Sequence, residues 1–248
     1  MTFVLFDLYD TLVEFKPDPV REARQSMATD LGVSPRDLEE AERRTLSARM
    51  CGRFGNTLED ELAHIITEAG CTPHASLVSQ YRDTQLNAWR EASIVHSDVM
   101  PCLRYLRAAR IRLGLVSNCS RLTRPLLGGW PFGGCFDEVT LSCEIGCTKP
   151  DKEILRTAVQ AVGGNPKDGM LVDDRADFVA AATGFGLRGC QIVRRESAPQ
   201  NGGPMMSDRA CVGAPTSSVV IDDLRHLPRH LGGRQAWLAG RARDGSFV

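Results

Sequence analysis

The sequence predicts an α/β fold built on a parallel sheet and interrupted early by a block of helices. Three observations carry this. Five short apolar runs have strand length: "FVLF" (3–6), "IRLGLV" (111–116), "EVTL" (138–141), "GMLV" (169–172) and "CQIV" (190–193). Helical patterns separate most of them, and strand–helix alternation is the signature of a parallel sheet. Residues 17–95 contain no convincing strand and read as helices throughout.

In chain order, "FVLF" is the first strand. Four amphipathic helices follow: "VREARQSMATDLG", "PRDLEEAERRTLSARM", "LEDELAHIITEAG" and "ASLVSQYRDTQLNAWREA". Gly- and Pro-containing loops break them at 32–35, 52–56 and 70–73. Then come "MPCLRYLRAAR", "DKEILRTAVQAVG" and "ADFVAAATGFG" between the remaining strands. Pro101 and Pro150 fall at helix starts, where a missing N–H costs little. Gly163, Gly164 and Gly184 fall at helix ends. A Gly-, Pro- and Ser-rich stretch from 195 to 217 is too long for an ordinary connection. "SVVIDDLRHLPRHL" gives a last strand and a short helix. The expected division is 1–15 with 96–225 as a discontinuous core, 16–95 as an inserted helical unit, and 226–248 as a solvated, frayed basic tail.

The composition is that of an ordinary globular protein, with 42% apolar and 25% charged residues in 248. A net charge of −1 gives no general attraction to nucleic acid or anionic membranes. No apolar stretch approaches the roughly 18 residues a membrane span needs, and no signal segment is recognisable. The expectation is a cytoplasmic protein with neither membrane nor nucleic-acid partners. Its nine cysteines are scattered and contain no C-x-x-C, so neither a zinc site nor a disulfide framework is indicated. Oligomeric state is not legible.

Ligands of an open parallel sheet bind outside the carboxyl ends of its strands. Asp7 and Thr11 follow the first strand. Ser117 and Asn118 follow "IRLGLV", a loop to Lys149-Pro150 follows "EVTL", and Asp173-Asp174 follow "GMLV". A lone Ser-Asn is usually a turn or cap, and a lone Asp pair is usually a solvated loop. The set, in this order and each member at a strand end, says much more than any one of them.

Four segments, "DLYDTL", "VSN", "TKP" and "VDDRAD", resemble the sequence motifs of the haloacid dehalogenase superfamily of hydrolases. The likeness extends over "FDEVTLSCEIGCTKPDKEIL" and "GMLVDDRADFVAAATGFG". It implies a Rossmann-like core with an α-helical cap inserted after the first motif. It further implies that Asp7 is a nucleophile forming a covalent aspartyl intermediate. Thr11 and Ser117 would hydrogen-bond the transferring group, and Lys149 would neutralise charge on Asp7 and the substrate. Asp7, Asp174 and the Tyr9 carbonyl would hold Mg²⁺, with Asp173 ligating directly or through water. Asn118 and Arg53, the latter in the "GRFG" turn of the cap, are the substrate-binding candidates. Arg53 would meet an anionic group of a small-molecule substrate.

One position departs from the family's phosphatases. They carry an acid two residues after the nucleophile, to protonate the leaving group. Here that position is Tyr9, and Asp10 follows it. Period-two geometry would aim Asp10 away from where Tyr9 points. Three readings stay open. The family's 2-haloacid dehalogenases have Tyr there, because halide leaves without a proton, but they lack the paired acids of a magnesium motif. Phosphonatases need a cap lysine, and residues 17–95 contain none. The favoured reading is a Mg²⁺-dependent phosphatase-type hydrolase in which Tyr9 itself donates, or the leaving group needs little help. A catalytically weak binding protein on the same fold is the alternative of a different class. Adjacent acids beside Asp7 would repel one another without a cation, which argues for a metal.

Overall fold

The computed structural model describes residues 1–194 and 218–231. The 195–217 stretch and residues 232–248 of the expected tail lie outside the described residues. The chain begins with β1 (Phe3–Phe6) and β2 (Val13–Phe15), then α1 (Pro17–Leu31), α2 (Pro35–Met50), α3 (Leu58–Glu68) and α4 (Ala75–Ala92). It continues with β3 (Ser93–Val95), α5 (Val99–Ala108), β4 (Arg112–Ser117), α6 (Thr123–Leu127), β5 (Glu138–Leu141) and α7 (Ser142–Ile145). Then come α8 (Lys152–Ala161), β6 (Gly169–Asp173), α9 (Ala176–Phe185), β7 (Arg188–Ile192), β8 (Val219–Ile221) and a 3₁₀ segment (Leu224–His230).

Six strands form one sheet in the order β5-β4-β1-β6-β7-β8, with every pairing parallel. This is the Rossmann-like α/β core the sequence implied. β1 is central and all four of its residues are buried, which is why it reads as an unbroken apolar run. The register sets Phe6 beside both Leu115 and Val172. Residues just past β1, at the end of β4 and at the end of β6 therefore meet at one edge of the sheet. At the opposite edge Gly169 lets the backbone pass under Phe3. A Cβ there would lie 2.0 Å from the Phe3 ring.

The four helices α1–α4 have a buried centre of their own, built from Met27, Leu38, Leu62, Ile66 and Tyr81 among others. Their ends are locally encoded. Ser34 caps α2 by accepting from the Asp37 amide, with Pro35 following it. Thr57 and Asp60 form a reciprocal capping box on α3.

Three expectations are corrected. The 17–95 block is not wholly helical, because β3 pairs antiparallel with β2, Val13 opposite Val95 and Phe15 opposite Ser93. Three residues are too few to display alternation, and the partner lies on the far side of four helices. α9 runs through Gly184, and its left-handed cap is Gly186, at φ 104°. The tail does not begin at 226. Leu227 is fully buried and Leu231 nearly so, since the 3₁₀ segment packs back on α5 and the main core.

Candidate active site

Asp7 is the first residue beyond β1, and its amide donates to the Val172 carbonyl at 2.9 Å. The chain then folds into a tight turn. The amides of Leu12 and Val13 both donate to the Leu8 carbonyl, at 2.8 and 3.1 Å, and that of Asp10 to the Val13 carbonyl at 2.7 Å. Asp10 adopts a left-handed conformation, φ 61°, and is buried. An Asp tolerates this region better than most residues. Period-two geometry leads to the expectation that Asp10 aims away from Tyr9; the chain here is a turn rather than a strand, so that alternation does not apply.

Asp173 ends β6 and Asp174 follows it. Asp7, Asp173 and Asp174 each offer a carboxylate oxygen, and these atoms lie within 4.8 Å of one another. Lys149 reaches into the same place from the loop after β5. Its Nζ donates to Asp7 Oδ1 at 2.5 Å and to Asp173 Oδ2 at 2.6 Å, and the residue is 3% exposed. Burial works against the Lys149 charge, but the Asp173 and Asp7 carboxylates outweigh it and hold the ammonium above its ordinary pKa. Burial lifts the Asp173 carboxyl; Lys149 opposes that rise and Asp7 adds to it. Asp174 is lifted by burial and then by Asp173, Asp7 and Asp10, so Asp10 lies within electrostatic reach of the cluster. Three carboxylates against one ammonium is a site short of positive charge. Hard oxygen donors at this spacing fit a magnesium-type ion.

Thr11 Oγ1 and Ser117 Oγ are buried and have no hydrogen-bond partner in the structure. Buried hydroxyls are nearly always paired, so two orphans at the sheet edge of the acid cluster fit groups kept for a ligand. Asn118 is placed differently from a substrate contact. Its Nδ2 donates to the Lys149 carbonyl at 2.9 Å and its Oδ1 accepts from the Lys149 amide at 2.7 Å. Both ends of the side chain are spent on fixing the lysine backbone. Arg53 is exposed and makes no side-chain hydrogen bond or ion pair among the described residues. Its turn rests on the core, where a Cβ at Gly52 would lie 2.0 Å from the Cys143 carbonyl.

Tyr9 is engaged by partners outside the acid cluster, with Asp7 still within electrostatic reach of its phenol. Its hydroxyl shares a 3.0 Å hydrogen bond with Thr123, and its ring meets Trp89 and Trp130 edge-on at 5.8 and 6.4 Å. Burial, then the neighbouring Cys119 thiol, push the phenol well above its usual pKa, against the Thr123 bond. Tyr9→Phe is expected to cost about 1 kcal/mol, because the buried Thr123 hydroxyl loses its partner. Thermal denaturation would show this as a Tm lower by about 2–4 °C. Turnover should stay within about twofold if the phenol carries no proton.

Sequence reasoning missed Glu61. It lies in α3, its side chain 1% exposed, and both its oxygens accept the Arg121 amide at 3.2 Å. Arg121 in turn donates Nε to the Gly55 carbonyl at 3.1 Å. The loop after β4 is thus clasped by the four-helix body. Beside the clasp is a small cavity of about 30 Å³ lined by Arg49, Glu61, Trp89 and Ser120 among others. Nothing in "LEDEL" distinguishes Glu61 from its solvated neighbours. Burial lifts its carboxyl to about 7, against the lowering effect of the Arg121 amide and the Arg49 charge. With a folded pKa above the unfolded one, Glu61 favours the fold most when protonated. Stability is lost as pH rises from the unfolded value near 4.5 through about 7. Glu61→Gln should flatten that loss and gain about 2 kcal/mol at pH 8, measured by urea unfolding across pH.

The chain is similar to known proteins in sequence and in fold. The family profile of haloacid dehalogenase-like hydrolases matches residues 1–186. A phosphoglycolate phosphatase of Pseudomonas putida is 28% identical over 232 residues, covering 90% of this chain and 77% of that protein. An (S)-2-haloacid dehalogenase of Pseudomonas fluorescens is 24% identical, covering 78% and 85%. In fold, a 2-haloacid dehalogenase of Pseudomonas syringae superposes with a TM-score of 0.66 at 21% identity, covering 93% of this chain and 98% of that one. A profile that spans all four motif segments, from the Asp7 turn to Asp173-Asp174, settles membership: the chain belongs to the haloacid dehalogenase-like hydrolases.

Proposed function

We propose that this hydrolase is a Mg²⁺-dependent phosphatase acting through Asp7 on a small, anionic phosphorylated metabolite. The observation that carries this reading is the cluster of Asp7, Asp173 and Asp174 around a single buried lysine. Such a set is electrostatically incomplete without a divalent ion. The phosphatase relative is also the more similar of the two, at 28% against 24% identity.

In this reading the Asp7 carboxylate attacks phosphorus, the ester P–O bond breaks, and the phosphoryl group rides on Asp7 until water cleaves it. Thr11 and Ser117 donate their unpaired hydroxyls to the transferring group. Lys149, fixed at its backbone by Asn118, balances the charge of Asp7 and of the incoming phosphate. Asp7, Asp173, Asp174 and the Tyr9 carbonyl would hold Mg²⁺, which screens the carboxylates and phosphoryl oxygens from one another. The four helices of residues 16–95 serve as the cap over the site, and Arg53 is the cap residue offered to an anionic substrate group. The protein acts in the cytoplasm. Eight free cysteines among the described residues suit a reducing compartment.

The leaving alkoxide needs a proton, and Tyr9 is committed to Thr123. We place the donor on Asp10, which is buried in the left-handed turn and lies within electrostatic reach of Asp174. Asp10→Asn should lower kcat for alkyl phosphates about 10²–10⁴-fold. It should lower kcat far less for p-nitrophenyl phosphate, whose leaving group needs little protonation. Equal, small effects on both substrates would remove Asp10 from the role.

The second reading is a dehalogenase, favoured by Tyr9 at its family position. One assay separates them: phosphorylated metabolites and 2-haloacids, each with Mg²⁺ and with a chelator. Phosphate release that the chelator abolishes supports the phosphatase. Chelator-resistant halide release overturns it.

A further inference from the structure

Arg194 lies two residues past the end of β7, yet its side chain is 8% exposed. One end of the guanidinium, Nη2, donates to the carbonyl of Thr11. The other, Nη1, donates to Asp98 Oδ2 in a charged pair whose acid side chain is 4% exposed. The same Asp98 oxygen accepts the Leu224 amide at 2.7 Å, which ties the pair to the 3₁₀ segment. The two partners of Arg194 lie on the two strands of chain that join the helices to the sheet. Thr11 leads into β2, and Asp98 follows β3 by three residues. Between them the His96 amide donates to the Leu12 carbonyl at 3.1 Å.

A single planar fork therefore spans the outgoing and returning connections at their root. Stability does not account for it well, since buried ion pairs can often be replaced by apolar residues at little cost. Geometry does. The Thr11 hydroxyl has no partner of its own, so nothing but the backbone fixes where it points. The backbone at Thr11 is the tail of a turn whose previous residue is already left-handed. Pinning the Thr11 carbonyl fixes the plane of the peptide that follows it, and with it the placement of the Asp7–Thr11 turn.

We propose that Arg194, held by Asp98, is a positioning residue that aims the nucleophile turn. It rests on the reading of Asp7 as the nucleophile and Thr11 as a contact to the transferring group. Lysine keeps the charge opposite Asp98 but lacks the second arm of the fork.

The test uses the full-length protein as Arg194→Lys and as the double variant Asp98→Asn/Arg194→Gln, which leaves no buried charge unpaired. Two quantities are measured: Mg²⁺-dependent phosphate release, and amide hydrogen exchange along the chain. A misplacement on the ångström scale should lower kcat by about 10²-fold in both variants, with KM little changed. Exchange of residues 8–13 should quicken while β4 and β6 keep wild-type protection. Unchanged kcat in both folded variants would overturn the proposal. So would exchange that rises evenly through the sheet, the sign of a merely structural pair. If the wild type itself releases no phosphate, the phosphatase reading fails. The local exchange measurement needs no substrate, and then decides the positioning role alone.

Discussion

Asp7→Asn is expected to reduce phosphate release by about 10⁴-fold or more, because Asp7 is the group proposed to carry the phosphoryl. The same substitution should make the metal-free protein more stable. Asp7 raises the carboxyls of both Asp173 and Asp174, so it adds negative charge where the site already has too much. An asparagine oxygen can still accept from Lys149 while the repulsion falls. Relief of about 1 kcal/mol would lift Tm by about 2–4 °C, read by calorimetry in chelator. With Mg²⁺ present the gain should shrink or reverse, because the ion loses a ligand. Retained turnover would place the nucleophile elsewhere. A lower Tm in chelator would mean that the Lys149–Asp7 contact outweighs the repulsion.

Lys149→Met should have the opposite effect on stability and a comparable one on turnover. It strips the only cation that touches the Asp7 and Asp173 carboxylates among the described residues. Breaking a buried pair from one side costs about 3–5 kcal/mol. At this chain length that is a Tm drop of roughly 10 °C. Addition of Mg²⁺ should restore part of the Tm but not the turnover, since the ion replaces the charge and not the donor. The pH dependence has a definite sign. Carboxyls with folded pKa raised above the unfolded value favour the fold when protonated, so the variant should lose stability as pH rises. A Tm equal to wild type in chelator would show that Lys149 does not hold the acids together.

Asp7, Ser117 and Asp173-Asp174 were legible because each sits at or within a residue of the end of its own strand, and parallel strands gather their carboxyl ends at one edge. Lys149 lies further out, beyond β5 and α7, and was legible through the motif resemblance of its segment. What escaped depends on contacts between distant segments. Asn118 reads as a substrate contact until its partner, Lys149, is seen 31 residues away. Glu61 meets Arg121 across 60 residues, and Arg194 meets Thr11 across 183. No local pattern marks such pairs. Asp10 is left open by the sequence for another reason. Alternation was assumed to continue past the strand, and a single left-handed residue ended it. Tyr9 was legible as an anomaly but not in its placement, because Thr123 and the two tryptophans come from segments far along the chain.

The short β2–β3 ribbon has a consequence for how such a molecule can change. Its far end is closed by a 2.7 Å hydrogen bond from the Lys16 amide to the Ala92 carbonyl, so the four helices leave and re-enter the sheet side by side. An insertion whose two ends already touch imposes no length on its host. Helices can be added, lost or exchanged beyond that bond without moving a strand, since closing a longer loop costs only slowly more entropy. The helical unit is in effect a cassette clipped into a hairpin. The helical unit can therefore change by insertion and deletion at the ribbon, while the register that assembles the acids stays fixed.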